Sequence, residues 1–313
     1  MTENYNISII IPFLDEGKNL KKLVSELNNY VPTLNQGKVE IIFVDDGSTD
    51  DSLEILRNQK IVSYYARVIK LSRNFGSHAA LRAGILNSKG NFVTFVYADL
   101  QDPLDLILNL YNKIKEGNDI VWAERRNIKS GIMEKIFSRI YAKMMQKFVI
   151  RAFPQKGFDI VMFNKKVKDE LNQNIELNSS IFMQILLMGF KQDKIVYDKH
   201  PREYGKSKWT LSKKFKIFID SFVAFSYFPI RFVTIIGFTL SFISIIWIIY
   251  IIIGTIFFDI ASRGWPTLIC VILFGFGITN ISLGILAEYL WRTLDASRRR
   301  KAFIIDKIYD ISK

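Results

Sequence analysis

The sequence predicts an α/β protein: a mostly parallel sheet domain, followed by an interfacial helix and two membrane-spanning helices. Three observations carry this expectation. Short apolar runs alternate with helical patterns through the first 115 residues, two later stretches lack any charge, and basic residues cluster near those stretches. The 313 residues hold 43 Lys+Arg against 30 Asp+Glu, a net charge of +13, and are nevertheless 49% hydrophobic. Apolar and basic residues must therefore be segregated along the chain, which excludes a wholly soluble enzyme and a disordered tail protein. The one cysteine, Cys270, lies in an apolar run, so an intrachain disulfide is excluded as well.

The elements follow in order. Ile7 to Leu14 is a continuous apolar run, and Lys18 to Val31 then places Leu20, Leu23, Val24 and Leu27 on one helical face. Val39 to Val44 reads as a second buried strand, Val68 to Leu71 as a shorter third and Asn91 to Tyr97 as a fourth. Helical patterns at Asp50 to Arg57, His78 to Leu86 and Pro103 to Lys115 separate or follow them. Strands alternating with helices of this length imply a mostly parallel sheet covered on both faces. Such sheets bind ligands beyond the carboxyl ends of their strands.

Polar residues gather at those ends. Asp15 and Glu16 follow the first run, Asp45 to Asp50 the second, Ser72 to Gly76 the third and Asp99 to Pro103 the fourth. Taken singly, Asp50 and Asp102 are plausible helix N-caps. Four acidic or polar ends on one edge point instead to a site, because clustered carboxylates suit a hard divalent cation that also bridges to phosphates.

The second half reads as membrane-facing. Phe232 to Phe258 runs 27 residues without a charge and Trp265 to Ala287 another 23, whereas about 20 apolar residues suffice to cross a bilayer. Arg231 precedes the first run, Arg292, Arg298, Arg299, Arg300 and Lys301 follow the second, and the connecting loop holds only Asp259 and Arg263. Positive-inside logic places both ends in the cytoplasm. Met1 to Asn6 carries no positive charge and does not form a secretory signal. Thr210 to Phe228 spaces Leu211, Phe215, Phe218, Ile219, Phe222 and Phe225 helically beside Lys213, Lys214 and Lys216, as an interfacial helix does. The expected organisation is a cytoplasmic catalytic domain over 1–209, an amphipathic interfacial helix over 210–228, two spans over 229–291 and a basic tail over 292–313.

Charge sharpens the picture. The net is +7 from Arg125 to Arg151, +6 from Lys191 to Lys216 and +4 from Arg292 to Lys313, so the remainder of the chain is slightly acidic. Basic stretches beside spans suit an anionic leaflet. They do not suit nucleic acid, since no recognition motif accompanies them.

The run Ile-Ile-Ile-Pro-Phe-Leu-Asp-Glu, then Val-Asp-Asp-Gly-Ser-Thr-Asp, Leu-Ser-Arg-Asn-Phe-Gly and Ala-Asp-Leu-Gln-Asp-Pro resembles family 2 glycosyltransferases of the GT-A fold. With Arg202-Glu203-Tyr204-Gly205-Lys206-Ser207-Lys208-Trp209 ahead of two apolar runs, it resembles more narrowly their polyisoprenyl-phosphate branch. The resemblance implies a nucleotide-sugar donor, a polyprenyl phosphate acceptor, Mg²⁺ or Mn²⁺, inversion at the sugar C1, an inner-membrane, multi-pass location and a homo-oligomer, a tetramer in relatives. Residue by residue it implies that Asp45 and Asp46 bind base and ribose, with Pro12 and Glu16 at the pocket edge. It places Asp99 and Gln101 at the metal and donor diphosphate. Arg125, Ser138 and Arg202 are expected at the reacting phosphates, with Ser207 and Lys208 nearby.

Two departures stand out. Asp15 replaces the family's usual Asn, and Tyr97 replaces the first Asp of the D-x-D metal motif. A phenol, whose ordinary pKa is about 10, is a poor ligand for a hard cation at neutral pH. The ion is then left to Asp99, Gln101 or Asp102 and the donor diphosphate, or else the chain is a binding relative with impaired catalysis. The sequence contains no Glu-Asp dipeptide, where many inverting relatives keep a base, and no Gln-x-x-Arg-Trp of processive synthases. A lipid phosphate needs no strong base, because its second pKa is about 6.

Overall fold

The computed structural model describes residues 5–126, 132–151, 153–154, 158, 160–175, 180–200, 228–258, 264–298 and 300–312. Two units result: Met1–Ser221 together with Lys301–Lys313, and Phe222–Arg300.

The first unit is built on alternating strands and helices: β1 (Ile7–Phe13), α1 (Gly17–Tyr30), β2 (Val39–Asp45), α2 (Ser52–Arg57), β3 (Tyr65–Leu71), α3 (Ser77–Asn87), β4 (Phe92–Phe95) and α4 (Asp105–Lys115). Then come β5 (Ile120–Arg125), α5 (Ile132–Phe148), β6 (Ile160–Asn164), α6 (Lys165–Gln173), α7 (Ile181–Leu187), β7 (Gln192–Tyr197) and, at the carboxyl terminus, β8 (Ile305–Asp310). Every residue of β1 and β2 is buried, which requires cover on both sheet faces. On α1 the expected stripe Leu20, Leu23, Val24 and Leu27 is buried, each side chain contributing about 1.5–3 kcal/mol. The buried residues of α3 include the small Ala79, Ala80, Ala83 and Gly84 beside Leu81 and Ile85. A Cβ at Gly84 would collide with the Ile10 side chain, so only glycine lets α3 approach β1 this closely.

The eight strands are ordered β7-β5-β6-β4-β1-β2-β3-β8. Pairings β1–β2, β1–β4, β2–β3 and β5–β7 are parallel, whereas β4–β6, β5–β6 and β3–β8 are antiparallel. Only β6 and β8 therefore run against the rest. The carboxyl ends of β1 to β5 and β7 face one edge, and the acidic and polar turns of the sequence lie there. At the opposite ends of β1 to β3, fully buried Glu40 accepts from Ser8 Oγ at 2.6 Å and from Arg67 at 3.3 Å. That network pairs the Glu40 carboxylate with the Arg67 guanidinium and is structural.

The second unit contains α8 (Phe228–Phe258) and α9 (Trp265–Ser297). Among the described residues, one helical stretch, Phe228–Trp247, is long and apolar enough to cross a membrane. The expected interfacial helix over 210–228 lies outside the described residues except at Phe228, where α8 begins. Residues 292–313, expected as a basic tail, divide in two: α9 continues to Ser297, and β8 joins the sheet beside β3.

Candidate active site

The turns after β1 and β2 are laced together. Asp15 has φ 53, a left-handed conformation that Asn and Asp tolerate better than other side chains, so its replacement of the family's Asn keeps the turn accessible. Its Oδ1 accepts from Thr49 N at 2.9 Å, and its N donates to Ser48 Oγ at 3.0 Å. Glu16 N donates to Ser52 Oγ at 2.9 Å, while Glu16 Oε2 accepts from Asn19 Nδ2 at 2.6 Å. Pro12 is buried inside β1. Asp50 Oδ1 accepts from Ser52 N at 3.0 Å, satisfying the first amide of α2 from just outside the helix.

Asp45 and Asp46 are adjacent yet differently employed. Asp45 is fully buried; its Oδ1 accepts from Ser48 N at 2.7 Å, and its Oδ2 is buried with no hydrogen-bond partner. Asp46 uses both oxygens, accepting from Phe75 N at 2.8 Å and Gly76 N at 3.0 Å. Burial pushes the Asp46 carboxyl above the usual carboxylate range, the two amides oppose this, and the Asp45 charge adds to the rise. Asp46 thus anchors the β3–α3 turn, residues 72–76, and Asp45 is the carboxylate with a spare acceptor. Gly47 between them and the turn has φ 75, and a Cβ there would lie 2.5 Å from the Arg73 carbonyl carbon. No other residue allows the two turns to approach so closely.

His78, which heads the expected helical pattern from His78 to Leu86, is the second residue of α3. Burial, with help from Arg82, lowers its pKa to about 4, so it is neutral at pH 7. Its Nδ1 is buried without a hydrogen-bond partner, and its ring meets Phe182 edge-on at 5.5 Å.

The loop after β4 is organised from a different direction. Tyr97 is half-buried and packs against the apolar core. Asp99 is half-buried, with Gln101 N 3.4 Å from its Oδ1, and Leu100 between them has φ 56. A leucine held in the left-handed region stores strain on the order of 1–3 kcal/mol, a feature that concentrates at functional loops. Asp102 is neither an N-cap nor a ready cation ligand: α4 has Leu104 at its N-cap, without a side-chain cap, and Asp102 is buried elsewhere. Its Oδ1 accepts from Tyr197 Oη at 2.8 Å and lies 3.4 Å from Lys199 Nζ. His200 N donates to Gln101 O at 2.8 Å. The end of β7 therefore clamps the β4–α4 loop, a partnership across about 95 residues that no local sequence signal announces.

Arg125 ends β5 on the same edge, half-buried, beside Arg126, whose N donates to Tyr197 O at 2.8 Å. Ser138 is exposed on α5. Arg202, Ser207 and Lys208 lie outside the described residues. The strand-end edge thus gathers Pro12, Glu16, Asp45, Asp46, Asp99, Gln101 and Arg125.

The pattern of Glycosyl transferase family 2 matches residues 8–191, more than half of the chain. YkcC of Bacillus subtilis (strain 168), a glycosyltransferase by name, is 30% identical over 99% of this chain and 96% of its own. The glycosyltransferase sll0501 of Synechocystis is 31% identical over 97% and 96%. A prophage bactoprenol glucosyl transferase homolog of Escherichia coli K12 is 28% identical over 96% and 99%. The chain belongs to glycosyl transferase family 2, and its sheet with six of eight strands codirectional is the architecture that the resemblance implied.

Proposed function

We propose that this chain transfers a sugar from a nucleotide-sugar, a UDP-sugar by preference, to polyprenyl phosphate at the cytoplasmic face of a membrane, inverting C1. The observation that carries the donor half is Asp45 Oδ2, a buried carboxylate oxygen without a hydrogen-bond partner at the binding edge of the sheet. Burying such an oxygen unpaired is costly, and an N–H of uracil or guanine offsets that cost. The acceptor half is supported by the relatives named bactoprenol glucosyl transferase, among them one from Shigella phage SfV that is 29% identical over 96% of this chain.

Within this reading, Asp45 holds the base, with the Asp15–Thr49 and Glu16–Ser52 contacts fixing the pocket edge. Arg125 meets the phosphates at the end of β5, joined by Ser138, Arg202, Ser207 and Lys208. The ionised lipid phosphate attacks C1 directly, and the nucleoside diphosphate departs against the positive charge of the arginines. Among the described residues no three His, Cys, Asp or Glu side chains cluster as a metal cage. Asp99 with Gln101 instead fits the manner in which Mg²⁺ or Mn²⁺ takes one carboxylate and completes its shell with substrate phosphates and water. Such an ion, when bound, supplies charge neutralisation for the leaving diphosphate.

Two spans are part of the proposal. The chain leaves the sheet-bearing unit after Ser221 and returns to it at Lys301. One sheet cannot have strands on both sides of a bilayer, so if α8 crosses, α9 crosses back. This supports a multi-pass inner-membrane protein with its catalytic domain in the cytoplasm. A homo-oligomer belongs to the same reading.

Purified protein in detergent, with Mg²⁺ or Mn²⁺ and undecaprenyl phosphate, is expected to move labelled sugar into the lipid phase from at least one of UDP-glucose, UDP-galactose, UDP-GlcNAc and GDP-mannose. Failure with all four contradicts the reading. Tyr97 motivates the second reading, a binding relative with impaired catalysis; it is favoured if only Tyr97→Asp shows turnover, and eliminated by full turnover of the unaltered chain.

A further inference from the structure

The carboxyl-terminal strand is reached only after the chain has passed through its apolar helices, yet it completes the catalytic sheet. In β8 the register pairs Arg67 with Asp310, Val68 with Tyr309, Ile69 with Ile308 and Lys70 with Lys307, before a bulge that shifts Leu71 onto Ile305. The attachment is more than a ladder. Phe303 and Ile311, on either side of the strand, are buried at 9% and 6% exposure. The Arg57 guanidinium stacks over the Tyr309 ring at 4.6 Å, Tyr65 Oη donates to Asp310 Oδ2 at 2.9 Å, and Lys70 Nζ lies 3.8 Å from Asp306.

The upper end of this clasp meets the donor pocket. Ser72 N donates to Ile304 O at 2.9 Å, so the first residue beyond β3 is fixed by the carboxyl-terminal segment. Arg73 follows, its backbone packed against Gly47, and the amides of Phe75 and Gly76 then donate to Asp46. Asp46 adjoins Asp45, whose Oδ2 is the spare acceptor. A chain of contacts therefore runs from Ile304 through residues 72–76 to the Asp46 carboxylate, next in sequence to Asp45.

We propose that β8, with its anchors Phe303 and Ile311, is a positioning element of the nucleotide-sugar site: it fixes residues 72–76 and through them the Asp45–Asp46 pair. The inference rests on the donor reading above. It predicts that loosening the strand weakens donor binding and leaves both the chemical step and the lipid phosphate site unaffected.

The test uses the full chain in detergent. Phe303→Ala/Ile311→Ala should raise donor KM and the Kd for the free nucleoside diphosphate by about tenfold, equivalent to about 1.4 kcal/mol. kcat should stay within about twofold and lipid KM should be unchanged. Amides of 72–76 should exchange faster, and the conservative pair Phe303→Leu/Ile311→Val should restore most of the affinity. Tyr309→Ala, which removes a partly buried ring beneath Arg57, provides a milder variant with a smaller rise if the double variant does not fold. Leu171→Ala, buried on α6, serves as a control for general destabilisation. An equal rise in donor KM in Leu171→Ala at matched Tm, or unchanged donor affinity in both β8 variants, overturns the proposal. A wild-type chain that binds neither UDP nor GDP overturns the donor reading instead, and the two failures are distinguishable.

Discussion

At the ends of β1, β2 and β3, backbone amides converge on acidic side chains: Thr49 on Asp15, Ser48 on Asp45, Phe75 and Gly76 on Asp46. After β4 the acidic loop is held by β7 and its following residues, through Tyr197, Lys199 and His200. The β1–β3 edge is held by amides of its own turns and has one carboxylate oxygen, Asp45 Oδ2, to spare. The β4–α4 loop spends Asp102 on its own scaffold, has a phenol at position 97, and retains Asp99 on a strained turn. The difference teaches that two acidic turns of similar composition can divide into one with a spare acceptor and one clamped shut, depending on what donates to them.

That contrast can be broken at several points. The largest effect is expected at the clamp. Asp102→Ala leaves Lys199, mostly buried, without its carboxylate, and loss of one partner of a buried pair costs about 3–5 kcal/mol; thermal unfolding should show a much lower Tm, with Lys199→Met milder. Next comes the pocket. Asp45→Ala should weaken nucleoside diphosphate binding by about 1.5–3 kcal/mol, the range for a hydrogen bond to a charged group, with little change in Tm; calorimetric titration reads it. A comparable Tm fall from Asp45→Ala would show that the carboxylate is scaffold, and the comparison would collapse.

Gly47→Ala tests the join between turns. Its Cβ would strike the Arg73 backbone at a φ of 75, so a loss of about 1–3 kcal/mol is expected, together with weaker nucleotide binding. Tyr97→Asp sharpens the contrast from the other side, since a second carboxylate should tighten Mn²⁺ binding in the presence of nucleoside diphosphate on the order of tenfold. A pH-dependent effect concerns His78. Its folded pKa of about 4 lies below the ordinary 6.5, so the unfolded chain binds the extra proton more readily. The resulting stability is fully present above about pH 6.5 and is lost as pH falls towards 4. Tm measured across this window should drop less in His78→Gln than in the parent.

The sequence carried the first half of the fold well. Unbroken apolar runs such as Ile-Ile-Phe-Val declare strands buried on both faces, and the α1 stripe declares its helix. From β5 onwards legibility falls. β6 enters the sheet antiparallel between β4 and β5, a placement that periodicity cannot express. β8 was concealed for a physical reason: Ile-Asp-Lys-Ile-Tyr-Asp is an edge strand with most side chains exposed, so it reads as a charged tail until β3 is seen beside it. The site divides likewise. Motifs singled out Asp45, Asp46 and Asp99, but the amides that distinguish Asp46 from Asp45 and the Tyr197–Lys199 clamp on Asp102 come from residues remote in sequence. An acidic residue declares itself in one dimension, whereas its hydrogen-bond partners appear only in three.

The central claim is sugar transfer to a lipid phosphate, and mass spectrometry of the lipid extract tests it most directly. The unaltered chain, given a nucleotide-sugar, a divalent cation and either phosphorylated or unphosphorylated polyprenol, should add one sugar mass to the phosphorylated lipid alone and release one nucleoside diphosphate per product. Nucleoside diphosphate release with no lipid product, or equal modification of the unphosphorylated polyprenol, would contradict it.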